Sequence, residues 1–268
     1  MRILFIGDVV GRPGREMVLA HAQRLRRELE AEFVIVNAEN AAGGLGVTPE
    51  IGAALLERAR ADVLTLGNHA FAKREAYSYL ESERRVLRPA NFPPGAPGRG
   101  WAVYNSPEGP LAVGVLQGRV FMDPLDDPFR EADAILEEAR EATCAVFLEF
   151  HGEATSEKQA FGWHVDGRAS AVVGTHTHVQ TADERLLPGG TAYITDAGMT
   201  GPRDSVIGVR REVVIPRFTT GLPSKFEVAE GPASLCGVLV DIDMNSGRAR
   251  GITRVRVDQE EGRPAAAG

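Results

Sequence analysis

The chain has 268 residues, of which 43% are hydrophobic, and its formal net charge at pH 7 is -7. A chain of this length and composition can bury a sizeable core, as one large α/β domain or as two ordinary ones. The acidic balance argues against binding of a large nucleic acid through a basic face, although metal ions could still hold a small anionic substrate locally.

The N-terminal segment MRILFIGD is too short for a signal peptide, because Asp8 interrupts its apolar run. No run of roughly 18 apolar residues follows, so we expect a cytoplasmic protein with no membrane partner. Cys144 and Cys236 lie far apart in apolar stretches. This placement predicts buried, reduced thiols rather than a disulfide or a zinc knuckle.

Apolar runs rich in β-branched residues alternate with patterns typical of amphipathic helices. In chain order the predicted elements are a strand at 2–7, a helix at 13–29, a strand at 33–37, a helix at 49–60, strands at 62–67 and 111–116, a helix at 129–142, and strands at 145–150, 170–174, 191–195 and 236–243. This order predicts an α/β fold, a layered sandwich of central mixed, largely parallel β-sheets flanked by helices.

The last third of the chain shows no helical patterns, and we expect antiparallel strands there to complete the sheet. The Pro- and Gly-rich stretch 91–110 is predicted to be an irregular surface excursion. No linker divides the chain, so residues 1–258 are predicted to form a single domain and residues 259–268 a disordered tail.

Polar side chains that suit metal binding follow five of the predicted strands, at the point where each strand ends. Ligands of an open α/β sheet bind outside the carboxyl ends of its strands, so we expect these side chains to share one rim. Each alone has a plainer explanation, as turn chemistry, a helix cap or a partly buried histidine, but their joint placement favours a site. The two histidines of GTHTH would point to the same side of a strand. The residues are Asp8, Glu39, Asn40, Asn68, His69, His151, His176 and His178.

This set offers imidazole, carboxylate and carboxamide groups and no thiolate. Such ligands disfavour a structural zinc site and suit manganese, iron or zinc with open positions for water and substrate. Glu39 could bridge two ions, and the inventory is large enough for two metals, so we hypothesise a binuclear hydrolytic centre. His21 lies in a helical pattern and His164 near a helix end or loop, and both are interpreted as structural.

The motif series GD, NAEN, GNH, FH and GTHTH resembles that of the calcineurin-like metallophosphoesterases. The closer resemblance is to the YmdB-like bacterial family of cyclic-nucleotide phosphodiesterases. It extends through AENAAGGLGVTP, ATSEKQAFGW and DSVIG and covers nearly the whole chain. The chain departs from the broader superfamily at Asp8-Val9-Val10, which lacks the usual histidine. Phe71 and Ala72 stand where the narrower family has an aromatic and an acidic residue.

The resemblance implies a metallophosphoesterase-like fold with two divalent or trivalent transition-metal ions, iron or manganese, as cofactors. It also implies His69 as the catalytic proton donor. The metal ligands it implies are Asp8, Glu39, Asn40 and His178 for one ion, and Glu39, Asn68, His151 and His176 for the second.

The expected reaction is hydrolysis of a small cyclic nucleotide, such as 2′,3′-cyclic AMP, to a nucleoside monophosphate by a bridging hydroxide. Two alternatives stay open. One is a phosphomonoesterase or nucleotidase, and the other is a metal-dependent regulatory protein that binds nucleotides with slow turnover. Whether identical subunits assemble is also left open.

Overall fold

The computed structural model describes residues 1–259, which form two β-sheets with helices packed outside them. The strands are β1 (Arg2–Ile6), β2 (Phe33–Asn37), β3 (Val63–Thr65), β4 (Val86–Leu87), β5 (Trp101–Ser106), β6 (Gly109–Gln117), β7 (Val146–His151), β8 (Ala171–Thr175), β9 (Arg185–Leu186), β10 (Ala192–Ile194), β11 (Gly201–Pro202), β12 (Ala233–Ile242) and β13 (Ala249–Asp258). The helices are α1 (Gly11–Glu28), α2 (Pro49–Ala53) with a π-helical continuation (Ala54–Arg58), α3 (Ala76–Ser82), α4 (Pro128–Ala139), α5 (Thr155–Val165) and α6 (Arg211–Thr220). Among the described residues, none of the helices combines the length and apolar character that a membrane span requires.

Each sheet is built around parallel strands and completed by antiparallel ones. The first sheet has the order β11-β12-β1-β2-β3-β4, with β13 paired to β12, and its strands β1 to β4 are parallel. The second has the order β5-β6-β7-β8-β10-β9, and β6, β7, β8 and β10 are parallel. The predicted mixed, largely parallel architecture is confirmed, and β12 and β13 supply the antiparallel strands expected near the end of the chain.

Alternate residues of a strand face two different apolar layers, because side chains of a strand point to opposite faces. In β1, Ile3 and Phe5 belong to the layer between the sheets, where the Phe5 ring stacks on Phe147 with centroids 5.6 Å apart. Leu4 and Ile6 belong to the layer beneath α1. A third layer lies between the second sheet and the helices α4 and α5. The order of layers is therefore helix, sheet, sheet, helix.

The predicted irregular excursion at 91–110 is wrong in its second half. Strand β5 begins at Trp101 and pairs antiparallel with β6. The turn between them is closed by the Ser106 hydroxyl, which donates to the carbonyl of Gly109 at 2.8 Å. A strand at a sheet edge keeps one side partly open to solvent, so β5 has no continuous apolar run to reveal it.

Helix α6 contradicts the prediction that the last third of the chain has no helices. It contains Pro216, and Val214 is its one buried residue, so it has no apolar stripe with helical spacing.

Residues 260–268, which make up nearly all of the predicted tail, lie outside the described residues. Gln259, just before them, donates its backbone N–H to the carbonyl of Ala233 at 2.9 Å.

The two cysteines have different environments. Cys236 is buried in β12, as predicted, and burial raises the pKa of its thiol to about 11. The prediction for Cys144 is wrong, because this residue is exposed. It follows the turn after α4 and precedes β7, so it lies outside the sheet, and its thiol donates to the carbonyl of Met244 at 3.2 Å.

Candidate active site

The carboxyl ends of the parallel strands of both sheets meet at one rim, and the structure brings all the predicted site residues together there. Their side chains come from the ends of β1, β2 and β3 in the first sheet and of β7 and β8 in the second. In that order the residues are Asp8, Glu39 with Asn40, Asn68 with His69, His151, and His176 with His178.

Two groups of side chains at this rim have the geometry to hold a metal ion. One consists of Glu39, His151 and His176, and the other of Asp8, Glu39 and His178. Within each group the donor atoms lie within 4.8 Å of one another. Glu39 belongs to both groups, and each group draws on both sheets. The two candidate sites are therefore adjacent and joined by one carboxylate.

The two carboxamides and His69 lie directly against these groups. Asn68 Oδ1 is 2.8 Å from His151 Nε2. Asn40 Nδ2 donates to Glu39 Oε1 at 2.9 Å and lies 3.2 Å from His178 Nε2. The Oδ1 atom of Asn40 is 2.8 Å from His69 Nδ1. The sequence-predicted set is thus one connected cluster.

The burial of the carboxylates fits a site for a cation. Asp8 and Glu39 are both fully buried, and Asp8 Oδ1 has no hydrogen-bond partner among the described residues. A buried carboxylate without a compensating charge or donor is costly. Imidazole, carboxylate and carboxamide donors are those that manganese, iron and zinc accept. The residues present therefore fit a transition-metal ion.

Without a bound cation, Glu39 and His151 are electrostatically coupled. Burial by itself raises the pKa of Glu39, but His151, whose Nε2 lies 3.2 Å from Oε2, and also His69 hold it well below its usual value. Burial disfavours a charged His151, yet Glu39 and Asp8 outweigh this and raise its pKa to about 9. Burial and then the charge of His151 lower the pKa of His176 to about 3. A cation held by Glu39 together with His151 would take the place of the additional proton on His151.

The two histidines of GTHTH lie in a loop. Strand β8 ends at Thr175, and His176 and His178 adopt positive φ angles of 95° and 68°. The expectation that strand alternation aims both rings at one place is therefore wrong. The loop conformation sends His176 to the group with His151, and His178 to the group with Asp8.

A buried ion pair anchors this loop. Asp196 Oδ2 accepts hydrogen bonds from the backbone N–H of Thr177 at 3.1 Å and from its hydroxyl at 2.7 Å. The same oxygen accepts from Lys158 Nζ at 2.7 Å, and both charged side chains are buried. Thr177 stands between the two histidines, so the anchor fixes the backbone from which both imidazoles project.

Sequence patterns also did not predict a buried carboxylate that lies behind the cluster. Glu149 Oε1 accepts from Asn37 Nδ2 at 2.5 Å and from the Thr175 hydroxyl at 2.7 Å. Asn37 Oδ1 in turn accepts the backbone N–H of Glu39 at 3.0 Å, and Thr175 Oγ1 lies 2.9 Å from His151 Nδ1. Glu149 therefore orients groups on both sides of the cluster. The position of Glu149 within the apolar run AVFLEF is the sequence feature that indicates a buried carboxylate.

The cluster opens into a cavity of about 450 Å³. Its lining includes Glu39, His69 and the GTHTH loop, and also residues from a segment, 203–232, that connects β11 to β12 and is here called the flap. Neither Phe71 nor Ala72 lines this cavity. Phe71 packs against Tyr77 and Phe92, with ring centroids 5.1 Å apart in each pair.

The chain and its fold have counterparts among known proteins. The 2′,3′-cyclic-nucleotide 2′-phosphodiesterase of Bacillus subtilis is 52% identical to this chain over 97% of its length and 98% of that protein. A crystal structure of a hypothetical protein from Thermus thermophilus matches with a TM-score of 0.91 and 45% identity, over 97% of this chain and 100% of that one. A phosphatase from Mycoplasma pneumoniae matches with a TM-score of 0.91 and 32% identity, over 98% and 95%.

The family model described as YmdB-like protein matches residues 4–255, which include every residue of the cluster. With nearly full-length matches to the relatives as well, this chain belongs to the YmdB-like protein family.

Proposed function

We propose that this protein is a metal-dependent phosphodiesterase that hydrolyses 2′,3′-cyclic nucleotides, such as 2′,3′-cyclic AMP, to nucleoside monophosphates. The chain is an enzyme, a phosphoric diester hydrolase. The observation that carries the proposal is the pair of metal-binding groups that share Glu39 beside His69. The name of the Bacillus subtilis relative supports the choice of substrate and of the 2′ bond.

Two ions, of iron or manganese, would occupy the two groups. The first would be held by Asp8, Glu39, Asn40 and His178, and the second by Glu39, Asn68, His151 and His176. Asn40 directs its amide nitrogen towards Glu39 and His178, so a half-turn of the amide would present Oδ1 as the ligand atom. When bound, such ions neutralise charge on the phosphate and make water a nucleophile near neutral pH.

His69 would supply the proton for the leaving oxygen. Its ring lines the cavity and is part-exposed, so substrate can reach it. Imidazole exchanges protons readily near neutral pH and is the commonest general acid in enzymes. If the bond to O2′ breaks, His69 protonates that ribose oxygen and the product is a 3′-monophosphate. Without metal, Asn40 Oδ1 lies 2.8 Å from Nδ1 of the ring. After the half-turn of the amide, Asn40 Nδ2 would take that place and donate to Nδ1, which would leave the ring proton on Nε2.

The test is release of monophosphate from 2′,3′-cyclic AMP by purified protein loaded with manganese or iron. We expect metal-dependent turnover that is lost in Asp8→Ala, because this substitution removes a ligand of one ion. Nucleoside 3′- and 5′-monophosphates assayed in parallel report the alternative phosphomonoesterase or nucleotidase activity. A protein that binds two metal ions but turns over none of these esters would contradict the proposal and favour a regulatory nucleotide-binding role.

A further inference from the structure

The cavity beside the metal-binding groups is lined by two chemically different sets of side chains. One set is polar and includes Glu39 and His69. The other is apolar and unusually open to solvent: Leu45 is 49% exposed, Ile207 52% and Phe226 55%. Large apolar side chains that share one cavity with a catalytic cluster are a feature of ligand sites, whereas scattered exposed ones are ordinary.

The apolar set is held close to the cluster by specific contacts. His178 Nδ1 lies 2.8 Å from the carbonyl oxygen of Ile207, so the flap is tied to a proposed metal ligand. Val228, two residues after Phe226, packs on the loop that carries Leu45: a Cβ atom at Gly44 would come within 2.9 Å of its Cγ2. The Arg217 guanidinium lies 4.8 Å from the centre of the Phe226 ring and supports it from α6.

We propose that Leu45, Ile207 and Phe226 form the nucleobase subsite of the enzyme, with Phe226 as its main contact. This inference rests on the proposed function, because it takes the ligand to be a nucleotide whose phosphate binds at the cluster. A nucleotide has an anionic group and a flat base whose two faces suit apolar contact, and the cavity offers a matching surface for each. A volume of about 450 Å³ is within the range of small-molecule sites.

The chemistry of this subsite also predicts its selectivity. None of the three side chains has a hydrogen-bonding group, so they recognise the base by its flat face, which every base has. Glu227 lines the same cavity, but its carboxylate is paired with Arg210 at 2.8 Å. We therefore expect all four 2′,3′-cyclic nucleotides to be substrates, with KM values that differ modestly and follow stacking strength.

The experiment compares 2′,3′-cyclic AMP with ribose 2′,3′-cyclic phosphate, which lacks the base, as substrates of the metal-loaded enzyme. For Phe226→Ala we expect KM for cyclic AMP to rise about five- to thirtyfold, as for lost stacking of a base, with little change for the abasic substrate. Phe226→Tyr keeps the ring and should stay close to wild type. Phe218→Ala is the matched control, since Phe218 is 82% exposed on α6 and does not line the cavity.

Equal changes of KM for both substrates, or no change of KM for either, would contradict the proposed nucleobase subsite. A second copy of the chain is the other occupant that this surface could take. If a second copy binds here, Phe226→Ala should lower the apparent mass of the protein in size-exclusion chromatography. The substitution should then change KM for both substrates alike. Wild-type protein that hydrolyses neither substrate would instead overturn the proposed function, so the two failures are distinguishable.

Discussion

His69 is the side chain on which the proposed chemistry depends most directly, because it lines the cavity and is tied to the cluster through Asn40. We expect His69→Gln to lower kcat for 2′,3′-cyclic AMP by about 10²–10⁴-fold, the usual contribution of a general acid. The kcat of the variant for bis(p-nitrophenyl) phosphate should fall much less, because the p-nitrophenolate leaving group needs no proton. Both kcat values, measured with the metal content of the variant, test this. An equal loss on both substrates with the metals retained would contradict the acid role.

Thr175 sets which ring nitrogen of His151 faces the cluster. Its hydroxyl donates to Glu149 Oε1, so towards His151 Nδ1 it can only accept, and the ring keeps a proton on Nδ1. Nε2 is then the atom left for a metal ion. We expect Thr175→Val to weaken metal binding about 10- to 100-fold, as for the loss of other partners of metal-bound histidines.

Thr175→Ser is the matched variant, because it keeps the hydroxyl, and we expect it to bind metal nearly as the wild type does. Competition with a chelating dye measures both affinities. If Thr175→Val binds metal as tightly as Thr175→Ser, the hydroxyl does not orient His151.

The proposed ligands could be predicted from the sequence because parallel strands bring their carboxyl ends to one rim, wherever they lie along the chain. Their supporting residues could not. The role of Thr175 depends on the register between β7 and β8, and that of Asp196 on the approach of Lys158 from α5. The backbone twist that separates His176 from His178 also has no signature in GTHTH.

Strand β8 has no room for a side chain at its fourth residue. A Cβ atom at Gly174 would lie 1.8 Å from the carbonyl oxygen of Thr195, an atom that cannot move without the backbone. We expect Gly174→Ala to lower the free energy of unfolding by about 1–3 kcal/mol, the usual cost of overpacking. Gly251→Ala in β13 is the control, because open space surrounds that position, and it should change stability little. Urea denaturation compares them, and equal stabilities would contradict the close packing.

The elements that the sequence predicted are those buried on both faces or along one stripe. All the predicted strands are present, since such burial leaves continuous apolar runs. Strands β4, β9 and β11 have two residues each, too few to show a period. Helix α6 buries Val214 alone, so packing left no pattern in its sequence. Local patterns thus reveal the elements that are buried over their length and miss those that are very short or bury few side chains.

The stability of the whole molecule is expected to depend on metal and on pH together. Without metal, the raised pKa of His151 stabilises the fold most below about pH 6.5, and this contribution is lost as pH rises through about 9. Metal binding has the opposite dependence, because it displaces that proton and therefore tightens up to tenfold per pH unit below about 9. The stabilisation by a fixed excess of Mn²⁺ should therefore be larger at pH 8 than at pH 6.

Thermal unfolding of chelator-treated protein, with and without added Mn²⁺, measures this increment at each pH. His164→Ala is the control, since His164 pairs with Asp133 away from the cluster and should leave the response intact. A stabilisation that is the same at pH 6 and 8 would show that no proton is displaced.

The second sheet takes its strands from one continuous stretch of chain, and the first sheet takes its strands from both sides of that stretch. Asp8 and His178 meet in one metal-binding group only after a loop of about 170 residues has closed. Closing so long a loop costs conformational entropy before the contact is gained, so we expect this contact to form late in folding. Metal affinity should therefore return in the final phase of refolding, after helices and strands have formed. A nascent chain would have no metal centre until its second sheet had left the ribosome.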